Sequence, residues 1–376
     1  MFCGQCGSNN LPDNRFCSAC GRQLVMPGAP APVPISSPAP HQPIFESVAA
    51  RLRMLANTEK LEGFSLKEMF SEVFRRRTEE EVDEYFIAGT SRTTPAIDDV
   101  ATGWPKPWFF SRVLAFVGLI YFGFSYAMQT FNNSNLIPGL IMMGALAVPL
   151  ATVFLFFELN TPRNVSLHRV LMLVAFGGIV SLIISLAGFS ATNLDWLGAS
   201  SAGIVEEIGK LLAVVVVVRG SRYRYILNGL LFGAAVGAGF AIFESAGYAF
   251  NALLANRSLD AMSTNIQVRA MLSPFGHVAW TAISAAALWR ARGGQPLRLQ
   301  HFFDMGFLKA FCIPMGLHML WNAPLPSPLY ARHLALGVIG WFVVFGLVQQ
   351  GLREVRKEQQ KTAVGKLTAM RIASAS

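Results

Sequence analysis

Three glutamates, one lysine and two histidines stand in stretches of this chain that are otherwise apolar enough to enter a membrane. Glu206, Glu207 and Lys210 share one stretch, Glu244 lies in the next, His277 in the one after, and His318 with Asn322 in a fourth. An ionisable side chain inside a bilayer is costly and is a functional candidate by default. Residues at i and i+4 share a helix face, which pairs Glu206 with Lys210 and His318 with Asn322. A carboxylate in such a place can take and return a proton, and an imidazole with an amide can donate to a developing oxyanion. Two carboxylates and two imidazoles are also adequate zinc ligands, and chains of Glu and His can relay protons across a membrane. Singly, Glu207 with Lys210 could be only a neutralising pair and His277 a hydrogen-bonded packing residue. As a set they need a common reason.

A second group with chemistry opens the chain. Cys3-x2-Cys6, ten residues, then Cys17-x2-Cys20 places two thiolate pairs at the spacing of a four-sulfur zinc cage, with Gly4, Gly7 and Gly21 around the knuckles. A redox dithiol would need one such pair opening a helix in a βαβ setting, which this region lacks. The expectation is one structural zinc on Cys3, Cys6, Cys17 and Cys20. Four thiolates leave no open position for catalysis. The segment resembles the short zinc ribbons that begin many bacterial membrane proteins.

The elements that must position the first group are membrane helices. Of 376 residues, 53% are hydrophobic and only 14% charged, against about 25% charged in an ordinary soluble chain. The acidic residues concentrate in the first 108 positions. This excludes a soluble enzyme, a disordered chain and, for want of long alternating strands, an outer-membrane barrel. The net charge of +9 sits mainly between apolar runs, so it reads as topology rather than nucleic-acid binding. Eight stretches meet or approach the roughly 20 apolar residues of a span: 109–130, 136–157, 169–189, 201–218, 225–250, 266–289, 302–321 and 329–348. The expected fold is an all-α polytopic membrane protein of about eight helices behind a small zinc ribbon. Its parts are the ribbon (1–25), a Pro-rich linker (26–43), a cytoplasmic helical segment (44–108), the membrane core (109–350) and a basic cytoplasmic tail (351–376).

Arginines follow every second span: Arg163 and Arg169; Arg219, Arg222 and Arg224; Arg290, Arg292 and Arg298; then Arg353, Arg356, Lys357 and Lys361. The positive-inside rule puts both termini in the cytoplasm. A thiolate zinc site in a reducing compartment agrees; separately, no apolar signal region is expected in the first forty residues. Counted from the outer ends of their spans, Glu206 then lies about five residues deep, Glu244 about six, His277 about ten and His318 about four. All fall in the outer half of a core roughly 30 Å thick.

The remaining features read more simply. Helical spacing covers 46–61 and 65–87, with Ser65 and Glu68 spaced as a capping box. The triplets Arg75-Arg76-Arg77 and Glu79-Glu80-Glu81 read as solvated helix surface. His168, His301 and His333 sit near loop ends, and His41 lies in the linker. Cys312 reads as a packing residue, and Asp304 with Lys309 as a local pair.

On these motifs the chain resembles the PrsW family of intramembrane proteases, within the wider clan of CAAX- and bacteriocin-processing membrane proteases. The EExxK motif stands as Glu206-Glu207-Ile208-Gly209-Lys210, and FxxxE as Phe240-Ala241-Ile242-Phe243-Glu244. The histidine of the next span is His277, and the last motif is His318-Met319-Leu320-Trp321-Asn322. The stretch Phe157-Glu158-Leu159-Asn160-Thr161-Pro162-Arg163-Asn164 matches the family's connection between its second and third spans. Singly each motif is weak; four in order on consecutive spans are specific. CAAX-processing relatives carry a histidine where Glu244 stands and an arginine motif where Lys210 stands, which argues against prenyl-protein processing.

The resemblance implies an endopeptidase in the cell membrane that cuts membrane-tethered proteins, such as anti-sigma factors, near the extracytoplasmic face. In that setting Glu206 is the expected base, oriented by Glu207 and Lys210. His318 and Asn322 would stabilise the oxyanion, and Glu244 and His277 would complete the water site. A metal-free, glutamate-activated water is preferred to a catalytic zinc, because no His-x3-His pair is present. The expected partners are a membrane-anchored protein substrate and the bilayer, with no nucleic acid. Two other classes remain: an ion or proton transporter, which the absence of an inverted repeat disfavours, and a silent membrane sensor or scaffold.

Overall fold

The structure is a computed structural model that describes residues 1–22, 24, 44–218, 222–326 and 328–375. The whole Pro-rich linker (26–43), His41 included, and Arg219 lie outside the described residues. The chain divides into two compact units, Met1–Ser47 and Val48–Ser376. In the first, two turns of matching form face each other. Gly7 N–H donates to Cys3 O at 2.8 Å and Gly21 N–H to Cys17 O at 2.9 Å. Both glycines hold a φ of +71°, the left-handed region that a Cβ disfavours.

The second unit is all helical among the described residues. Ahead of its long helices come α1 (Ile44–Ala56), α2 (Leu66–Met69) and α3 (Glu79–Phe86). The helical spacing over 65–87 therefore does not produce one helix. Ser65 caps the four-residue α2, and the reciprocal capping box is the one between Thr78 and Glu81 at the start of α3. Nor is Arg77 solvated surface: it bonds Glu72 at 3.0 Å and lies over the Trp108 ring at 4.2 Å. Ala56, Met69 and Val100 join the main hydrophobic core.

The long elements are α4 (Phe109–Phe131), α5 (Ile137–Leu159), α6 (Leu167–Met172) with a π-turn at Leu173–Gly177 running into α7 (Gly178–Ala191), α8 (Ala202–Val217), α9 (Ile226–Asn256), α10 (Leu259–Leu272), α11 (His277–Arg292), α12 (Met305–Asn322) and α13 (Ala331–Ala375). Six of the resulting stretches are long and apolar enough to cross a membrane. Two of the eight expected spans fall outside that set: α8 is only 16 residues long, and the 18 residues of α12, which include Lys309, His318 and Asn322, are less apolar than the other spans. The stretch read as one span over 266–289 is broken over Ser273–Gly276, where Pro274 lacks an N–H to continue the ladder. His277 is thus the first residue of α11 rather than a residue ten deep in a continuous helix. Trp341 of α13 donates to the Pro274 carbonyl at 3.0 Å and so braces the break.

α9 is the central helix. Gly229, Gly233 and Gly237 recur at four-residue spacing and bring its backbone against α11. A Cβ at Gly237 would lie 2.3 Å from the His277 carbonyl oxygen, so this glycine sets how near His277 can come to α9. α8 meets α12 in the same way: a Cβ at Gly203 would lie 2.6 Å from the Met319 backbone nitrogen. The connection 157–164 locks the base of the bundle. Glu158 accepts from the backbone N–H groups of Trp108, Phe109 and Phe110 at 2.7, 2.9 and 2.9 Å, capping α4 from another helix. Asn228 donates to Asn160 at 2.8 Å and to Asn164 at 2.7 Å, tying α9 to the same turn.

Candidate active site

Four helices place the side chains of the intramembrane group: α8, α9, α11 and α12. α8 carries Glu206 and Glu207 on adjacent positions, and Lys210 one turn further on. Glu207 and Lys210 are fully buried. Lys210 Nζ donates to Glu207 Oε1 at 2.6 Å, lies 2.8 Å from His277 Nδ1, and stands 3.8 Å from Glu206 Oε2. The Phe240 ring of α9 closes over it at 4.5 Å, which gives the phenylalanine of Phe240-x3-Glu244 a physical task. One turn along, Glu244 accepts from His277 Nε2 at 3.0 Å. His318 of α12 reaches Glu207 Oε1 through Nδ1 at 2.9 Å, and its Nε2 lies 3.8 Å from Glu206 Oε2.

These contacts assign the tautomers. His318 carries its proton on Nδ1, toward Glu207, and turns the Nε2 lone pair to Glu206. His277 carries its proton on Nε2, toward Glu244, and accepts from Lys210 at Nδ1. Each imidazole is thus oriented by a carboxylate, the arrangement that commonly supports histidine ligands of metals.

Glu206, Glu244, His277, His318 and Asn322 line one cavity of about 480 Å³. Glu207 and Lys210 do not line it; they stand behind the wall, fully buried. Asn322 shares the face of His318 and donates to the Ala199 carbonyl at 3.3 Å. Sequence reasoning missed three further residues of the wall. Arg269 of α10 pairs with Glu244 at 2.5 Å; its charge inside an apolar stretch was the available signal. Trp280 stacks on His318 with centroids 4.5 Å apart. His333, read only as sitting near a loop end, lines the cavity as well. Outside the cavity, Asp304 caps α12 by accepting from Phe307 N–H at 2.8 Å instead of standing as a local pair with Lys309, and Cys312 is exposed rather than packed.

The donor chemistry also suits a divalent cation. One ligand atom each from Glu206, His277 and His318 lies within 4.8 Å of the others, and Glu206 Oε2 is buried without a hydrogen-bond partner. The missing His-x3-His spacing is no obstacle, because the two imidazoles arrive from α11 and α12. In the other unit, the Sγ atoms of Cys3 and Cys20 are 3.7 Å apart and those of Cys6 and Cys17 3.6 Å. A zinc tetrahedron with bonds of about 2.3 Å has edges of about 3.8 Å. Backbone N–H groups of Ala19 and Cys20, above all, bring the Cys17 thiol down to about 6, which favours the thiolate a metal needs.

A helical bundle with carboxylates and imidazoles gathered in a cavity is common to intramembrane peptidases and to proton-relaying membrane proteins. The PrsW family of intramembrane metalloproteases matches residues 135–348, more than half of the chain, and a zinc-ribbon domain matches residues 2–24. The chain belongs to the PrsW family and carries a zinc ribbon in front of it. No curated protein and no solved structure matches it.

Proposed function

We propose that the protein hydrolyses a peptide bond of a membrane-tethered protein, with Glu206 taking the proton of the attacking water. One observation carries this reading. Of the three carboxylates, Glu207 is committed to Lys210 and His318, and Glu244 to Arg269 and His277. Glu206 alone faces the cavity with no charged partner closer than 3.8 Å. It is therefore the group able to accept a proton and return it to the leaving amine. Asn322, with a second amide N–H beside the one given to Ala199, is positioned to donate to the oxyanion. His318, held by Glu207 and stacked on Trp280, offers its Nε2 lone pair to the cavity.

The donor set also admits a metal-assisted version. There Glu206, His277 and His318 would hold the ion, with His277 giving up its contact to Lys210 and Glu206 serving as a ligand in place of the base named above. A divalent cation there would polarise the scissile carbonyl and acidify the water. The test uses protein in which Cys3, Cys6, Cys17 and Cys20 are all replaced by Ser, so that chelation reads the membrane site alone. This variant should contain about one zinc fewer than the wild type, as a four-thiolate site holds one ion. It should cut a bilayer-embedded single-span protein and, in the metal-assisted version, stop on chelation and recover with zinc. Cleavage unchanged by chelation would overturn the metal-assisted version. Absence of cleavage from the untreated wild type, across a panel of single-span proteins, would overturn the protease reading itself.

In this reading α8 and α12 cross as short helices shielded by their neighbours, making eight crossings, and both termini are cytoplasmic. The arginine-rich connections after α5, α8 and α11 support that direction, which puts the cavity on the extracytoplasmic side. A single cysteine at Ser134 should react with an impermeant thiol reagent applied outside, and one at Gln295 should not. The reverse pattern would invert the bundle and move the cut to the cytoplasmic side.

A further inference from the structure

Arg269 lies in the cavity wall with no part in the reaction as derived so far. Its Nη2 donates to Glu244 Oε2 at 2.5 Å and its Nε to Ser245 Oγ at 3.1 Å. Its guanidinium lies 4.1 Å from the centre of the Tyr248 ring. Glu244, Ser245 and Tyr248 all belong to α9, so Arg269 is gripped by one helix through a salt bridge, a hydroxyl and an aromatic face. A guanidinium keeps its charge and presents its donors in a fixed planar fork, so these contacts set its direction as well as its place. The oxygen it holds, Glu244 Oε2, is the same atom that accepts from His277 Nε2 at 3.0 Å. Arg269 also stands four residues before the break at Ser273–Gly276, beyond which α11 begins with His277.

We propose that Arg269 is a positioning residue that acts through Glu244 on His277, fixing the proton on Nε2 and so keeping Nδ1 the acceptor on the inner side of the ring, where it meets Lys210 at 2.8 Å. This rests on the protease reading above and adds a residue to it. With Arg269 absent, Glu244 keeps only the imidazole as a partner, in a site where a carboxylate without a cation is costly. The carboxylate would turn, His277 would lose its fixed acceptor, and the ring would lose its defined tautomer. The rival role for an arginine in a cavity wall is direct contact with the substrate, and the two roles differ in measurable ways.

The experiment compares Arg269→Gln, Arg269→Lys, Glu244→Gln and the double variant Arg269→Gln/Glu244→Gln, as full-length protein in proteoliposomes. Arg269→Gln should lower kcat about 10- to 100-fold, the scale of a small misplacement of catalytic groups, with KM nearly unchanged. Arg269→Lys should recover part of the loss, since it restores the charge without the fork. In the Glu244→Gln background the same substitution should cost little more, because residues that act through one another are not additive. A second readout needs no substrate. In ribbon-cysteine-substituted protein, Arg269→Gln should weaken zinc binding at the membrane site about 10- to 100-fold, the usual effect of losing an outer-shell partner. A raised KM with kcat intact, or additive losses in the double variant, would overturn the proposal in favour of substrate contact. Unchanged kcat together with unchanged zinc affinity would overturn it outright. If the wild type cleaves nothing, the protease reading fails separately, and the zinc measurement still decides whether Arg269 positions His277. Should Arg269→Gln fail to fold, Arg269→Lys carries the same comparisons.

Discussion

Glu206→Gln should leave the protein folded and lower cleavage by about 10²–10⁴, the usual range for loss of a general base. Glutamine keeps the size and the hydrogen-bonding geometry of the side chain but cannot take a proton from water. The effect should fall on kcat, because no contact assigned to Glu206 is one the substrate needs in order to bind. Structure should survive, since Glu206 Oε2 has no hydrogen-bond partner to lose and its nearest cation, Lys210, is 3.8 Å away. Glu207→Gln should behave differently. It removes an acceptor of Lys210 and His318, so it should disturb folding and orientation before it disturbs proton transfer. Equal loss of activity and equal loss of stability in the two variants would contradict the division of labour drawn between these neighbours.

Lys210→Met should be the most destabilising substitution in the site, at about 3–5 kcal/mol, the cost of leaving one member of a buried ion pair without its partner. Lys210 is fully enclosed, bonded to Glu207 at 2.6 Å and to His277 at 2.8 Å, with the Phe240 ring over its ammonium. Methionine fills much of the same space, so the loss would come from the charge left on Glu207 and not from a void. Adding Glu207→Gln to Lys210→Met should therefore restore part of the stability, because the orphaned charge is removed with it. Thermal unfolding of the purified variants reads both effects. A midpoint unchanged by Lys210→Met, or lowered further by the second substitution, would show that the pair is not holding α8 in place.

The candidate site was legible in the sequence because its residues are the ones a bilayer penalises. Glu206, Glu207, Lys210, Glu244, His277 and His318 stand out against apolar neighbours, and the structure brings all six together. The ribbon was equally plain, since two Cys-x2-Cys pairs leave few other geometries. What escaped is what depends on a partner helix. Arg269 was hidden because its neighbour Glu244 is 25 positions away and no helical spacing links them. The fully buried places of Glu207 and Lys210 depend on how α8 is rotated, which is set by Gly203 against Met319 of α12 and not by α8 itself. The break before His277 was signalled by Pro274 and Gly276, but the surrounding apolar residues read as one span. In the front segment, the periodicity of 65–87 reflected burial of Met69 and Phe70 against the bundle and not a continuous helix.

The central claim is that this buried cluster hydrolyses a peptide bond, and the most direct measurement is mass spectrometry of a single-span protein reconstituted with it. Wild type and Glu206→Gln would be compared side by side in the same proteoliposomes, with proton flux recorded in parallel. The account predicts two fragments cut near the extracytoplasmic face from the wild type, an intact substrate with Glu206→Gln, and no flux from either. Fragments formed at the wild-type rate by Glu206→Gln would contradict the assignment of the base. Intact substrates accompanied by a Glu206-dependent proton flux would contradict the account as a whole.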